Sequence, residues 1–165
     1  MPIGHTERVL KRQKEMLALL ADGCRTTSLI QQKLGLTHGQ TKSLIYMLEK
    51  EGRVIKLVFG NIALVCLNMD QYHKLVNDMT REVERLVTAN RLKFISPQRL
   101  YNLIIKDPQA RKFFSNIIPI AYRTTNTLTF LNHLLRLIYG EPYVKTDEIL
   151  YLTDNRKVSP ETPAN

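Results

Sequence analysis

A mainly α-helical fold carrying one or two small β hairpins is what this sequence predicts, and two observations predict it. Apolar residues recur at the helical period through most of the chain. After Gly52, and again after Gly140, the pattern stops at a glycine and is followed by short strand-like runs. The 165 residues, 44% hydrophobic and 24% charged, have the proportions of a globular chain long enough to bury a core. No apolar run has bilayer-spanning length, and the start, Met1-Pro2-Ile3-Gly4, lacks the apolar centre of a secretory leader, so a cytoplasmic or nucleoid-associated protein is expected.

From Glu7 to Ala21, Val9, Leu10, Met16, Leu17 and Leu20 make one face of a first helix, ended near Gly23. Thr26 or Thr27 can cap a second helix of about two turns, which Gly35 ends in the left-handed conformation. Thr37 with Gln40 three residues on forms a capping box that starts a third helix, running until Gly52. The period then switches to two: Arg53 to Phe59 and Ile62 to Asn68 read as strands joined by the tight turn Gly60-Asn61. Both faces of this hairpin are apolar, so both are expected to be covered, one by its own helices and the other by the second half or another subunit.

Asp70 is the expected cap of a long helix reaching about Arg91, with Tyr72, Val76, Met79, Val83 and Leu86 forming a coiled-coil-like seam. Ser96-Pro97 and Asp107-Pro108 each place a capping residue before a proline and open two more helices. Leu128, Leu131, Leu134, Leu135 and Ile138 mark a last helix, closed by Gly140 and Pro142. Tyr143 to Val144 and Ile149 to Leu152 are then a candidate terminal hairpin, and 154–165 a mobile tail. The expected division is 1–68, then 69–153 as a helical, dimerising domain or a second unit of the first kind, then the tail.

The run from Thr26 to Val54 resembles winged helix-turn-helix regulators, and the resemblance covers about residues 7–68. In that family Leu34-Gly35-Leu36-Thr37 corresponds to the turn, the helix after it enters the DNA major groove, and Leu48 to Val54 leads into the wing. The implied fold is a winged helix-turn-helix, single or in tandem, and the implied partner is double-stranded DNA. Residue placement agrees independently. At about 100° per residue, Thr41, Leu44, Ile45 and Leu48 share one face, whereas Gly39, Lys42, Ser43, Tyr46 and Lys50 lie on or beside the other. Gln40 and Ser43 suit base edges, and Lys42, Lys50 and the helix start suit phosphates. With Arg25, Thr37, His38, Tyr46, Arg53 and Lys56 they make up the candidate DNA-binding set. The wing departs from the family pattern, since Lys56 is its sole charged residue between Ile55 and Asn68.

The formal charge of +9 favours a polyanionic partner. Arg91, Lys93, Arg99, Lys106, Arg111, Lys112 and Arg123 form a second basic region interleaved with Phe94, Tyr101, Phe113 and Phe114, aromatics that either stack on bases or fill the core. The residue pattern contains no G-x-S-x-G, P-loop or H-E-x-x-H motif, and His5, His38, His73 and His133 lack metal-ligand spacing, so neither enzyme activity, metal nor cofactor is expected. Cys24 and Cys66 read as two small buried thiols, with a disulfide between them as the alternative. The leading function is a dimeric transcriptional regulator or DNA-maintenance factor. The alternative is a winged-helix protein-interaction module in a larger nucleoprotein assembly.

Overall fold

The computed structural model describes residues 3–140 and 150–151, with side chains described from residue 7 to 140. Its elements are α1 (Ile3–Leu20), β1 (Arg25–Thr26), α2 (Thr27–Leu34), α3 (His38–Lys50), β2 (Ile55–Phe59), β3 (Ile62–Cys66), α4 (Met69–Ala89), β4 (Phe94–Ile95), α5 (Pro97–Lys106), α6 (Pro108–Ser115), α7 (Thr125–Tyr139) and β5 (Leu150–Tyr151). This is a mainly helical chain with a small antiparallel sheet, consistent with the winged-helix class. Two compact units form: Met1–Val58 with Ala63–Leu75 and Asn116–Pro119, and Phe59–Ile62 with Val76–Ser115 and Ile120–Asn165. The boundary therefore differs from the one expected after residue 68. The hairpin tip belongs to the second unit because Phe59, fully buried, stacks on Phe130 with ring centres 4.6 Å apart and meets the His133 ring edge-on at 4.5 Å.

In the first unit, Met16 and Leu20 of α1, Ile30 of α2, Leu44, Ile45 and Leu48 of α3, and Val54 and Val65 around the sheet form one apolar cluster. The caps follow the sequence closely. Thr26 accepts from the Leu29 amide, and Gly35 ends α2 at φ 63°. Thr37 and Gln40 make both bonds of the capping box. The sheet holds a strand that the sequence did not signal: β1, two residues long, pairs antiparallel with β3, Arg25 opposite Val65 and Thr26 opposite Leu64, giving the order β1-β3-β2. The Thr26 amide donates to the Ile117 carbonyl at 2.9 Å, so residues 116–119 belong with this unit. Cys24 and Cys66, at the ends of β1 and β3, are joined in a disulfide, the alternative of the two sequence readings.

One expectation for this region needs correcting. The helix α4 is opened by Asn68, whose side chain accepts from the Gln71 amide at 2.8 Å, rather than by Asp70. The Gln71 side chain then ties the unit together, accepting from the Leu67 amide at 2.8 Å and donating to the Leu20 carbonyl at 2.7 Å. Within the single chain Lys56 is exposed and Val58 is 71% exposed, which leaves covering of that hairpin face to another subunit, the second of the covers expected for it.

In the second unit Ser96 caps α5, Thr124 caps α7, and Gly140 closes α7 at φ 73°. Asp107 accepts from the Ala110 amide at 2.9 Å and opens α6. The seam residues Met79, Val83 and Leu86 are buried to 1% exposure or less, spent in the chain's own interior. Leu150 and Tyr151, from the second arm of the expected terminal hairpin, pair antiparallel with Ile95 and Phe94 of β4. Tyr143 and Val144, like the 154–165 tail, lie outside the described residues. The order of elements parallels that of the first unit. A long helix leads to a two-residue strand, which runs straight into a Ser- or Thr-capped helix and pairs antiparallel with a later strand; in the first unit that strand is β3, reached through β2, and in the second it is β5, with α6 as an added helix.

Candidate nucleic-acid interface

The helix α3 divides as its sequence periodicity requires. Thr41, Leu44, Ile45 and Leu48 are buried, at 3% exposure or less, whereas His38, Gly39, Gln40, Lys42, Ser43, Tyr46 and Lys50 are exposed. The cause is the amphipathic spacing: four residues anchored in the core fix the rotation of the helix, and the remaining side must face out. Thr41 adds a polar anchor, its hydroxyl donating to the Thr37 carbonyl at 2.9 Å.

The exposed residues differ in how free they are. Thr37 and Gln40 are engaged with each other: the Thr37 hydroxyl accepts from the Gln40 amide at 3.1 Å, and the Gln40 carboxamide oxygen accepts from the Thr37 amide at 2.9 Å. Gln40 thus keeps its NH2 group as a donor, while its oxygen is occupied. The Lys50 ammonium lies 5.7 Å from the centre of the Tyr46 ring, and Tyr46 is 60% exposed. Arg53 pairs with Glu51 at 3.7 Å, both half open to solvent, an arrangement worth little energetically and readily exchanged for a phosphate.

Arg25 is the member that stands apart. It is 8% exposed, its guanidinium donates to the Cys24 carbonyl at 3.1 Å, and burial lowers its pKa, an effect that Asp22 partly opposes. It is a buried strand residue, held there by its pairing opposite Val65, and does not share the surface of α3.

A cavity of about 210 Å³ lies beside α3, lined among others by Gln31, His38, Lys42, Tyr46, Glu49 and Lys56. It brings Lys56 of β2 to the same region as Lys42, which periodicity on α3 alone does not predict. Gln31 and Glu49 were missed by sequence reasoning; Glu49 lies about one turn from Tyr46 on α3, whereas α2, which carries Gln31, holds no candidate residue. In the second unit Tyr101 and Phe114 prove to be core, the Tyr101 hydroxyl donating to the Ile120 carbonyl at 2.8 Å. Phe94 is 41% exposed with the Arg99 guanidinium 4.8 Å from its ring centre. Among the described residues no cluster of three His, Cys, Asp or Glu has metal-binding geometry, and no helix is long and apolar enough to cross a membrane.

A family model described as the PSV transcriptional regulator domain matches residues 72–152. A solved structure, that of a hypothetical protein from Pyrobaculum spherical virus, is 73% identical, covers 91% of this chain and 98% of its own, and superposes with a TM-score of 0.86. No curated protein matches the sequence.

Proposed function

This chain belongs to the family of the Pyrobaculum spherical virus protein and the PSV transcriptional regulator domain, and from that premise we propose that it binds double-stranded DNA as a regulator of transcription. The reading puts the 38–51 helix in the major groove. The observation that carries it is the division of α3: four buried anchors on one side, and His38, Lys42, Ser43, Tyr46 and Lys50 open on the other. The positive end of the helix dipole, with lysines along the open side, suits phosphates, while Ser43 and the Gln40 NH2 group suit base edges. The wing takes no leading part, because its tip at 59–62 is built into the second unit.

Non-enzymatic action, a cytoplasmic or nucleoid location and an accessory role in DNA maintenance belong to the same proposal. So does the pairing of two copies, which would present two reading helices to successive groove turns. Since Met79, Val83 and Leu86 of the α4 seam are buried within the chain while Tyr72 and Val76 are half-buried, exposed Leu10 and Val58 are among the apolar residues left to a second copy. Light scattering at micromolar concentration tests that part.

Selection of bound fragments from random duplex DNA tests the main claim. The full chain is expected to enrich a defined sequence, and Lys42→Glu and Lys50→Glu to abolish the enrichment. Unchanged affinity in both variants would remove α3 from the interface.

A further inference from the structure

We infer that the corner between α5 and α6 is a second contact for DNA, one that grips the phosphate backbone without reading sequence; this rests on the reading of the chain as a duplex-binding protein. Lys106 ends α5, and Arg111 and Lys112 lie on α6, so three cations fall within seven residues on either side of the Asp107-Pro108 junction. All three are exposed. No described carboxylate pairs with any of them.

The reason is specific. Between residues 85 and 140 the sequence holds nine Lys or Arg and a single acid, Asp107. That acid sits inside the corner, where it would be expected to neutralise its neighbours. It is instead turned to Arg85, whose guanidinium donates to both of its oxygens, at 3.1 and 2.8 Å, and to the Ala110 amide. The nearby Glu82 is likewise engaged, accepting from Arg85 at 2.9 Å and from the Gln109 side chain at 2.8 Å. Asp107 and Glu82 are thus spent on holding α4 to the α5–α6 corner, and neither forms an ion pair with Lys106, Arg111 or Lys112.

The chemistry of the surroundings selects the partner. Along α5 and α6 the exposed residues besides the three cations are Asn102, Pro108 and Gln109, none of them a large apolar residue of the kind that anchors a protein partner. The aromatics of α6 do not offer a stacking platform, because Phe114 is fully buried and Phe113 is half-buried edge-on against it, with ring centres 5.1 Å apart. A surface of cations and neutral polar groups, without apolar anchor or free ring, fits a regular row of phosphates.

The test is a salt titration of binding to random duplex and to a selected site, using the full chain and the variant Lys106→Gln/Arg111→Gln/Lys112→Gln. The variant is expected to bind both duplexes more weakly, with the slope of log K against log salt reduced by about 2 to 3. Its preference for the selected site should stay unchanged, as should the slope in the charge-keeping variant Lys106→Arg/Lys112→Arg. An unchanged slope in the neutralised variant overturns the second contact, and loss of preference overturns its indifference to sequence. If the unaltered chain binds no duplex at low salt, the proposed function itself fails.

Discussion

Arg85 holds Asp107 through both terminal guanidinium nitrogens, and the same carboxylate accepts the amide that opens α6. One acid therefore serves two helices. The hydrogen bonds from Arg85 and then from the Ala110 amide lower its pKa from the ordinary 3.8 to about 2. A group whose folded pKa is depressed stabilises the fold above its unfolded pKa, and that contribution is lost as pH falls through the folded value. Acid titration is expected to show a loss of stability between pH 3.8 and about 2. Asp107→Asn should flatten that step when unfolding is followed by circular dichroism.

His133 adds a second, separate step. Burial lowers its pKa from 6.5, and the charge of Arg136 lowers it further. The folded state thus keeps the ring neutral against Phe59, and protonation favours the unfolded chain. Stability is expected to start falling as pH drops below 6.5, well above the Asp107 window. In His133→Gln the upper step should vanish while the lower one persists.

Gly60 is required for space as well as for its left-handed φ of 58°. A Cβ there would stand 2.5 Å from the Cβ of His133 and 3.1 Å from the Thr129 carbonyl oxygen. Gly60→Ala is expected to lower stability by about 2 kcal/mol through overpacking. Gly39, on the open side of α3, should behave oppositely, because a Cβ there would meet nothing within 4 Å. Gly39→Ala is expected to gain about 0.5 kcal/mol from helix propensity. Paired denaturant titrations compare the two.

Thr37→Ala removes the capping hydroxyl, and with it the geometry that occupies the Gln40 oxygen. A loss of about 1 kcal/mol is expected. If the open side of α3 meets DNA, the same variant should weaken binding, because the first turn is no longer fixed. Binding unaffected at a temperature where the variant is fully folded would show that the first turn makes no contact.

The Cys24–Cys66 disulfide spans 42 residues of sequence. Closing a loop of that size contributes about 4 kcal/mol in the chain-entropy picture. Reductant is expected to lower the melting temperature by about 10 °C for a chain of this length. The double variant Cys24→Ala/Cys66→Ala should melt low with or without reductant.

Much of the first unit was legible because its signals are local. Caps such as Thr26, Thr37 and Gly35 act on amides or angles a few residues away, and the face of α3 is set by its own spacing. What escaped depends on partners far along the chain. The strand β1 is two residues long and exists only because β3 lies beside it, forty residues later. The seam of α4 looked available to a second copy, since periodicity says that a face is apolar and not what covers it. Arg25 was grouped with the surface cations on charge alone, although strand pairing draws it inward. Lys56 reached the neighbourhood of Lys42 only through the fold of the hairpin.

The bridge from Cys24 to Cys66 encloses both helices of the helix-turn-helix, making that stretch a covalent circle from which two arms emerge. A protease that cuts once anywhere inside the circle leaves a nicked but undivided molecule. The helix α3 is accordingly carried by a part of the chain well placed to outlast damage, and its attachment to the rest survives a break in its own backbone.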